Sequence, residues 1–254
     1  MRQTDRIVAY CSRLWYAWRT TPNDRLVMEL IKSLTLEEAK KITGGVSKPG
    51  KMPGLSFSIP ATECKVGGFL RKVEGSTCSK CYAMKGRYVF GNVKNAMWRR
   101  LDSYNSHVEN GTIEEWIDAM VFFATSKKSK GYFRWFDSGD LQSVEMLCHI
   151  IEIARRAPEV RFWLPTREYG IVRDYLNSGP YIPDNLTIRI SAAMIGECPP
   201  NFKHPRIVYS VVHRKNSRAS TATYSCPAYI QDGKCLDCRA CWSQDVLFVS
   251  YPQH

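Results

Sequence analysis

The chain has 254 residues, of which 44% are hydrophobic and 24% are charged, a composition typical of a globular protein with one sizeable core or two small ones. Lys and Arg number 36 against 24 Asp and Glu, and the formal charge of +12 favours phosphate-rich partners. No run approaches the roughly 18 apolar residues of a membrane span, and the first residues lack the apolar core of a secretory signal. We therefore expect a cytoplasmic protein without a membrane partner.

The N-terminal part of the chain is predicted to be helical. Apolar residues in Asp5–Arg19 recur at three- and four-residue steps, which places them on one face of a helix, and a second helix should follow Pro22. Thr35 and Glu38 have the spacing of a capping box, which begins a further helix that the glycine pair at 44–45 ends.

The predicted main body alternates strands and helices. Six short runs rich in aromatic or β-branched residues indicate strands at Leu55–Ile59, Tyr132–Phe136, Arg161–Leu164, Leu186–Ser191, Arg206–Val212 and Val246–Tyr251. Amphipathic patterns indicate helices at Asn95–Val108, Ile113–Thr125, Ser143–Arg156 and Arg167–Leu176. Thr112 and Glu115 predict a second capping box.

This alternation predicts an α/β fold, a partial (β/α) barrel of about six mainly parallel strands. A doubly wound open sheet is the alternative. The predicted organisation is a helical extension over residues 1–50 and an α/β domain over 51–254, which ends in a cysteine-rich segment at 222–254.

Ten cysteines, most of them at short spacings, indicate metal ligation more than disulfide bonds in a reducing compartment. Four of them follow the pattern C-x8-C-x2-C-x2-C, and they are Cys226, Cys235, Cys238 and Cys241. Successive C-x2-C steps are typical of iron-sulfur ligation, so we expect a 4Fe-4S cluster. Zinc and inert thiols are the alternatives.

Three more cysteines lie in a loop that directly follows the first predicted strand, and they are Cys64, Cys78 and Cys81. Three thiolates leave one coordination position open, where a cluster can bind a substrate or cofactor. The alternatives are a structural metal pair at Cys78 and Cys81, or one site shared by all seven cysteines. Cys148 and Cys11 are expected to be small core residues, and Cys198 is ambiguous.

Several motifs resemble the phage gene product 88 family from about Met52 to the C-terminus. They are Pro53-Gly-Leu-Ser-Phe-Ser-Ile-Pro60, Cys78-Ser-Lys-Cys-Tyr-Ala-Met-Lys-Gly-Arg-Tyr88, Phe133-Arg-Trp-Phe-Asp-Ser-Gly-Asp140, Phe162-Trp-Leu-Pro-Thr-Arg167, Gly233-Lys-Cys-Leu-Asp-Cys-Arg-Ala-Cys-Trp242 and Tyr251-Pro-Gln-His254. This resemblance implies a phage protein in the host cytoplasm, and it implies no particular reaction.

The layout is more distantly similar to radical S-adenosylmethionine (SAM) enzymes, in which a three-cysteine loop follows the first strand of an α/β partial barrel. Ser138, Gly139 and Asp140 resemble the segment that holds the methionyl amine of SAM in those enzymes. The resemblance implies SAM as a cofactor and an auxiliary cluster at the C-terminal cysteines.

Polar residues follow several of the predicted strands. In α/β barrels such residues meet at the ligand site, and the main candidates are Arg167, Glu168, Arg189 and Ser191. Asp137, His213 and Arg214 occupy similar positions, and helix caps or surface ion pairs are the alternative role for each of these residues.

Basic charge is concentrated in two segments. Residues 65–100 contain nine Lys or Arg and one acid, and residues 203–218 are also basic. Aromatic residues interleave with the first segment, a pattern that suits nucleic acid, although a solvated basic face is the alternative.

Two functions remain open from the sequence. The first is an iron-sulfur enzyme of radical-SAM-like architecture with one or two clusters. The second is a non-enzymatic binding protein in which a metal fixes a basic surface for nucleic acid or a host partner. The role of His254 cannot be inferred.

Overall fold

A computed structural model describes residues 29, 31, 33–178, 181–214, 217 and 223–253. The helices predicted at Asp5–Arg19 and directly after Pro22 lie outside these residues.

Within the described residues, seven strands form one parallel sheet in the spatial order β1-β2-β3-β4-β5-β7-β6. Their bounds are β1 Leu55–Phe57, β2 Tyr132–Trp135, β3 Arg161–Thr166, β4 Leu186–Ser191, β5 Ile207–His213, β6 Tyr224–Ser225 and β7 Phe248–Pro252. The first five strands follow chain order without a reversal, so the sheet is not doubly wound. β1 and β6 are the two ends of this strand order and do not pair with each other, as in a partial barrel, and the predicted fold class is confirmed.

Six helices are named in the described part of the chain. They are α1 Leu36–Thr43, α2 Lys65–Leu70, α3 Gly91–Glu109, α4 Ile113–Thr125, α5 Val144–Arg156 and α6 Tyr169–Asn177. None of the described helices combines the length and the apolarity needed to cross a bilayer.

The outer face of the sheet packs against the helices and forms the main core. Alternation along β2 sends Phe133 and Trp135 into this core, where both are almost fully buried. Trp116 of α4 meets Phe57 of β1 edge to face at a centroid distance of 5.5 Å. Ala39 places α1 in the same core, against α4.

The inner face of the sheet is covered by the C-terminal segment. Trp163 of β3 packs against Trp242, with ring centroids 5.1 Å apart, in a second cluster that includes Cys241 and Val249. The Trp242 indole N–H donates to the carbonyl of Phe133 at 3.0 Å. The cysteine-rich segment is thus the inner layer of the fold.

The two predicted capping boxes differ in outcome. At α1 the Thr35 hydroxyl accepts from the Glu38 N–H and the Glu38 carboxylate accepts from the Thr35 N–H, so this box is confirmed. At α4 the Thr112 side chain makes no capping bond. Its hydroxyl instead lies 2.7 Å from His107 Nδ1, near the end of α3. This contact occupies the hydroxyl oxygen that a helix cap would need.

All six predicted strands are present within two residues of their predicted bounds. The sequence analysis missed β6, which has only two residues, and α2, whose segment Lys-Val-Gly-Gly-Phe-Leu contains two glycines. Glycine weakens a helix through its backbone freedom, so α2 depends on contacts from outside the helix.

Candidate functional site

Three cysteines meet behind the carboxyl end of β1. Cys64 follows the 3₁₀ turn Ala61–Glu63 and is the N-cap residue of α2. Cys78 and Cys81 share a turn in which the Cys81 N–H donates to the Cys78 carbonyl at 3.1 Å. A Cβ atom at Gly67 would lie 3.6 Å from Cys78 Sγ and 3.7 Å from Cys64 Sγ. The two sulfurs therefore border the same small space, which the missing side chain at this glycine leaves open.

Electrostatics couple the three thiols to one another. Burial raises the pKa of Cys64 well above its usual value, and the nearby Asp140 carboxylate raises it further. Cys81 and Cys78 add to the same effect. Burial also raises the pKa of Cys78, an effect that the Arg167 guanidinium partly offsets. Burial thus favours the protonated thiols of Cys64 and Cys78, whereas a bound cation would stabilise thiolates.

Asp140 joins the loop after β2 to the loop after β3. Its Oδ1 atom accepts the Leu141 N–H at 2.8 Å, and its Oδ2 atom accepts the Arg167 N–H at 2.9 Å. Burial raises the pKa of this carboxyl group, although the hydroxyl of Thr166 and the two backbone bonds lower it. Nearby, the buried hydroxyl of Ser138 has no hydrogen-bond partner among the described residues. Asp140 orders the strand ends around the cysteines.

Gly139 allows the loops after β1 and β2 to touch. Its φ angle is +84°, and a Cβ atom there would lie 2.2 Å from Ile59 Cγ1. The Ile59 N–H donates to the Ser138 carbonyl at 3.1 Å across the same contact. The close approach of the two loops requires glycine at this position.

Glu168 and Arg167 connect the loop after β3 to both of its neighbours. Glu168 Oε1 accepts the N–H groups of Lys65 and Val66 at 3.1 and 2.9 Å, directly after Cys64. These amides belong to the first two residues of α2. By accepting their hydrogen bonds, Glu168 stabilises the start of a helix that its two glycines weaken. Arg167 Nε donates to the carbonyl that follows β4 at 3.0 Å. Hydrogen bonds of Asp140, Arg167 and Glu168 therefore connect the loops that follow the strands β1 to β4.

Arg189 and Ser191 have different surroundings. Arg189 is fully buried, and its guanidinium donates to the carbonyls of Tyr209, Val246, Ala240 and Ser243. It therefore fastens the C-terminal segment to the sheet. The Ser191 hydroxyl accepts from Ser210 at 3.1 Å, and the Ser191 carbonyl accepts the hydroxyl of Tyr169.

Tyr169 is a residue that the sequence analysis did not single out. Burial raises the pKa of its hydroxyl to about 12, and Asp140 and Cys78 add to the increase. Its ring thus lies within electrostatic reach of the three-cysteine site. In the sequence, Tyr169 could have been identified by its position at the start of the predicted helix, directly after the candidate residue Glu168.

The four C-terminal cysteines lie on the inner face of the sheet. Cys226 caps the 3₁₀ turn Pro227–Ile230, and its N–H donates to the Ser250 carbonyl of β7 at 2.9 Å. The Cys235 N–H donates to the Lys51 carbonyl at 2.8 Å. Cys241 is buried, with its sulfur 3.0 Å from the hydroxyl of Tyr251.

These four thiols are also electrostatically coupled. Burial raises the pKa of Cys226, Cys235 and Cys241, and charges within the group contribute: Cys226 acts on Cys235 and Cys241, and Cys238 acts on Cys226 and Cys235. Cys238 lies 3.4 Å from the hydroxyl of Tyr224. The segment thus holds its cysteines within one neighbourhood.

Neither cysteine group is set at the spacing of one bound ion. In the part of the chain that the structure describes, no three His, Cys, Asp or Glu side chains are arranged to hold a single metal ion. Tetrahedral zinc with bonds of about 2.3 Å needs sulfurs about 4 Å apart. A multinuclear cluster holds its sulfurs farther apart than a single ion does.

Arg134 lies between the two cysteine groups. Its guanidinium stacks over Trp163 at 4.3 Å, and Nη2 donates to the Tyr82 hydroxyl, beside Cys81, at 3.4 Å. Its positive charge lowers the pKa of Cys235 and Cys241. The sequence analysis missed this residue. The signal was the alternation in Tyr-Phe-Arg-Trp, which puts the arginine on the face opposite the core.

Asp137 and His213 make hydrogen bonds within the chain. Asp137 accepts from the hydroxyls of Ser56 and Ser58 and from Tyr88 at 3.0 Å, so it is not a helix cap. His213 Nδ1 lies 2.6 Å from the hydroxyl of Ser250.

The remaining cysteines lie apart from both groups or outside the described residues. Cys148 is buried in the main core and disulfide-bonded, so it can ligate no metal. Cys198 is exposed. Cys11, Arg218 and His254 lie outside the residues that the structure describes.

Comparisons with known proteins identify the family of the chain. No curated protein and no solved structure matches the chain. The family model described as Gene product 88 matches residues 29–244, which include both cysteine groups and every strand except the C-terminal one. The chain therefore belongs to the phage gene product 88 family.

Proposed function

We propose that this protein is an iron-sulfur enzyme of radical-SAM-like architecture. The observation that carries the proposal is the meeting of three free thiols with the carboxyl ends of β1, β2 and β3, on a parallel sheet whose first five strands follow chain order. In open α/β sheets, ligands bind outside the carboxyl ends of the strands. The second cysteine group would hold an auxiliary cluster.

The donor chemistry supports a cluster at the first group. Thirteen residues separate Cys64 from Cys78, yet both sulfurs face the space beside Gly67. Thiolates are the preferred ligands of iron-sulfur clusters, and three of them leave one iron open. A bound cluster would supply an electron to a cofactor. The electron comes from an external reductant.

The strand-end residues have positioning roles in this proposal. Asp140 and Glu168 use backbone N–H groups to order the loops that present Cys64. The buried hydroxyl of Ser138, without a partner among the described residues, is available to a polar group of SAM. The positive charge of Arg167 lowers the pKa of Cys78.

A closed site suits the second group. Cys226, Cys235, Cys238 and Cys241 supply four thiols, with Arg134 and Arg189 as the nearby cations. Positive charge of this kind balances the negative charge of a thiolate-ligated cluster. Zinc is the alternative occupant.

The experiment is elemental analysis after anaerobic purification, on three proteins. One is the wild type, the second carries alanine at Cys64, Cys78 and Cys81, and the third carries Cys198→Ala as a matched control that removes an exposed thiol. We expect iron and sulfide in the wild type and the control. The triple variant should lose about half of the iron, and SAM should change the visible spectrum of the wild type and the control but not that of the triple variant.

The outcomes separate the alternatives. Stoichiometric zinc without iron or sulfide would overturn the proposal and favour the non-enzymatic binding protein. Loss of all iron in the triple variant would indicate that the two cysteine groups share one centre and do not hold two clusters. A wild-type spectrum that SAM does not change would refute the radical chemistry, while the iron-sulfur assignment would stand.

A further inference from the structure

Exposed aromatic and apolar side chains surround the three-cysteine loop. We define them as the rim, and they are Phe69 (71% exposed), Tyr82 (43%), Met84 (38%), Val89 (54%) and Phe90 (59%). Five exposed apolar side chains thus lie within 22 residues. On soluble proteins, exposed apolar patches commonly mark interaction sites.

Unpaired positive charge accompanies the rim. Five exposed basic residues of this segment have no acidic partner among the described residues, and they are Lys72, Lys80, Lys85, Arg87 and Lys94. The situation differs on α5, where Arg156 pairs with Glu114, Asp118 and Glu152. The excess of positive charge is therefore available to an anionic partner at the rim.

The rim is attached directly to the candidate site. Phe69 lies on α2, which begins after Cys64. The Tyr82 hydroxyl donates to the Asp137 carbonyl at 2.7 Å, and its ring lies 5.7 Å from that of Tyr88. Phe90 is the N-cap residue of α3, whose first turn carries no acid. Two of these rings therefore belong to segments that begin directly after Cys64 and Cys81.

We propose that the substrate of the three-cysteine site is a single-stranded nucleic acid. The inference rests on the proposed function above. Phosphates would pair with Lys85, Arg87 and Lys94 while bases stack on the rings of Phe90 and Tyr82, which is the combination that proteins use for single strands. Stacking needs unpaired bases, so a duplex fits less well. An acidic protein would match the charge and would leave the interleaved rings unexplained.

The first test is fluorescence polarisation with a labelled 16-nucleotide single strand of DNA or RNA, with the matching duplexes, on the anaerobic full chain. Replacing Lys85, Arg87 and Lys94 with Gln should weaken single-strand binding at 50 mM salt about tenfold or more. It should also lower the slope of log affinity against log salt by about 2. Phe90→Ala should weaken binding at least about fivefold.

Matched controls come from the amino-terminal end of the sheet. Lys127, Lys128 and Lys130 are exposed in the loop before β2, and changing all three to Gln removes the same charge. Tyr181→Ala removes an aromatic ring that is 51% exposed. Both controls should bind within about twofold of the wild type. Equal losses in rim and control variants, or no binding at 50 mM salt, would overturn the inference.

Crosslinking then tests the placement at the site. A single strand that contains 5-bromodeoxyuridine should crosslink under ultraviolet light to peptides with Tyr82 or Phe90. Crosslinks confined to the second basic segment, residues 203–218, would overturn the assignment as substrate. Metal content is measured on the same samples. Intact binding by a protein without iron would overturn the proposed function alone, and an iron-loaded protein without binding would overturn this inference alone.

Discussion

At the residue scale, single atoms decide whether the strand-end loops can meet. Gly139 and Asp140 are adjacent in the chain and do different work there. The glycine lets the loop after β2 approach Ile59, and the aspartate holds the loop after β3 through backbone N–H groups. Substitutions here test the geometry of the site without touching a cysteine.

Gly139→Ala should destabilise the fold by about 3 kcal/mol or more, because the new Cβ atom would lie 2.2 Å from Ile59 Cγ1 and 2.9 Å from the Ile59 carbonyl oxygen. Gly111→Ala is the control, since φ there is +70° and nothing lies within 4 Å. It should cost about 1 kcal/mol. Urea denaturation measures both, and equal losses would refute the steric explanation.

The buried His149 predicts a pH dependence of stability. Burial lowers the pKa of this imidazole to about 4 from an ordinary 6.5, so the folded state binds the proton more weakly than the unfolded state does. The stability contributed is complete above pH 6.5 and is lost as the pH falls toward 4. The loss amounts to roughly 3 kcal/mol.

The check compares urea denaturation of the wild type and His149→Gln at pH 7.5 and pH 4.5. Other carboxyl groups titrate alike in both proteins, so the difference between them isolates the histidine. The wild type should lose about 2.5 kcal/mol more than the variant, because pH 4.5 lies just above the folded pKa of about 4. Parallel losses would show that His149 is protonated in the folded state.

At the scale of elements, one arginine fastens the C-terminal segment to the sheet. Arg189 of β4 donates to four carbonyl groups, of which that of Ala240 begins, and that of Ser243 follows, the 3₁₀ turn Ala240–Trp242 that carries Cys241. Thr187 adds a bond to the Trp242 carbonyl at 2.9 Å. The segment is otherwise poor in regular structure, so these contacts determine where its cysteines lie.

Arg189→Met should cost about 3 kcal/mol, because several buried carbonyl groups lose their donor. Hydrogen exchange should rise in residues 240–251 and stay unchanged in α5. Arg161→Met is the control, since this exposed residue begins β3, and its cost should stay within about 0.5 kcal/mol. An unchanged exchange rate in 240–251 would show that the turn holds itself.

At the scale of the whole molecule, the sheet separates two layers with different sources of stability. The outer layer is a large apolar core that joins α1, α4 and α5 to the strands. The inner layer is a small cluster around Trp163 and Trp242, which contains cysteines of the C-terminal group. Burial of apolar surface explains the first layer, whereas the second has little apolar area of its own.

If the proposed cluster occupies the C-terminal cysteines, its removal should loosen the inner layer alone. Metal binding to a site that exists only in the folded chain stabilises that fold. Chelation under anaerobic conditions should raise hydrogen exchange in residues 226–251 and change the near-ultraviolet circular dichroism of Trp163 and Trp242. Exchange in α4 and α5 should remain slow. Uniform loss of protection in both layers would contradict this division.

The amino-acid sequence by itself determined the class of the fold. Period-2 and helical patterns located all six of the longer strands and the helices α3 to α6 of the main body, because those patterns record which side chains face the core. The spacing of Cys226, Cys235, Cys238 and Cys241 marked that group as a unit. Local chemistry also located the start of α1 at Thr35.

Only the tertiary structure decided which residues meet. The sulfurs of Cys64 and Cys78 border the same space although thirteen residues separate them. Glu168 stabilises the start of α2, a helix that contains two glycines. The hydroxyl of Thr112 contacts His107 instead of capping α4. In addition, Arg189, which was expected at the strand-end site, donates its hydrogen bonds to the C-terminal segment. The physical reason is that these contacts are long-range or compete for the same hydrogen-bonding groups, and local patterns record neither.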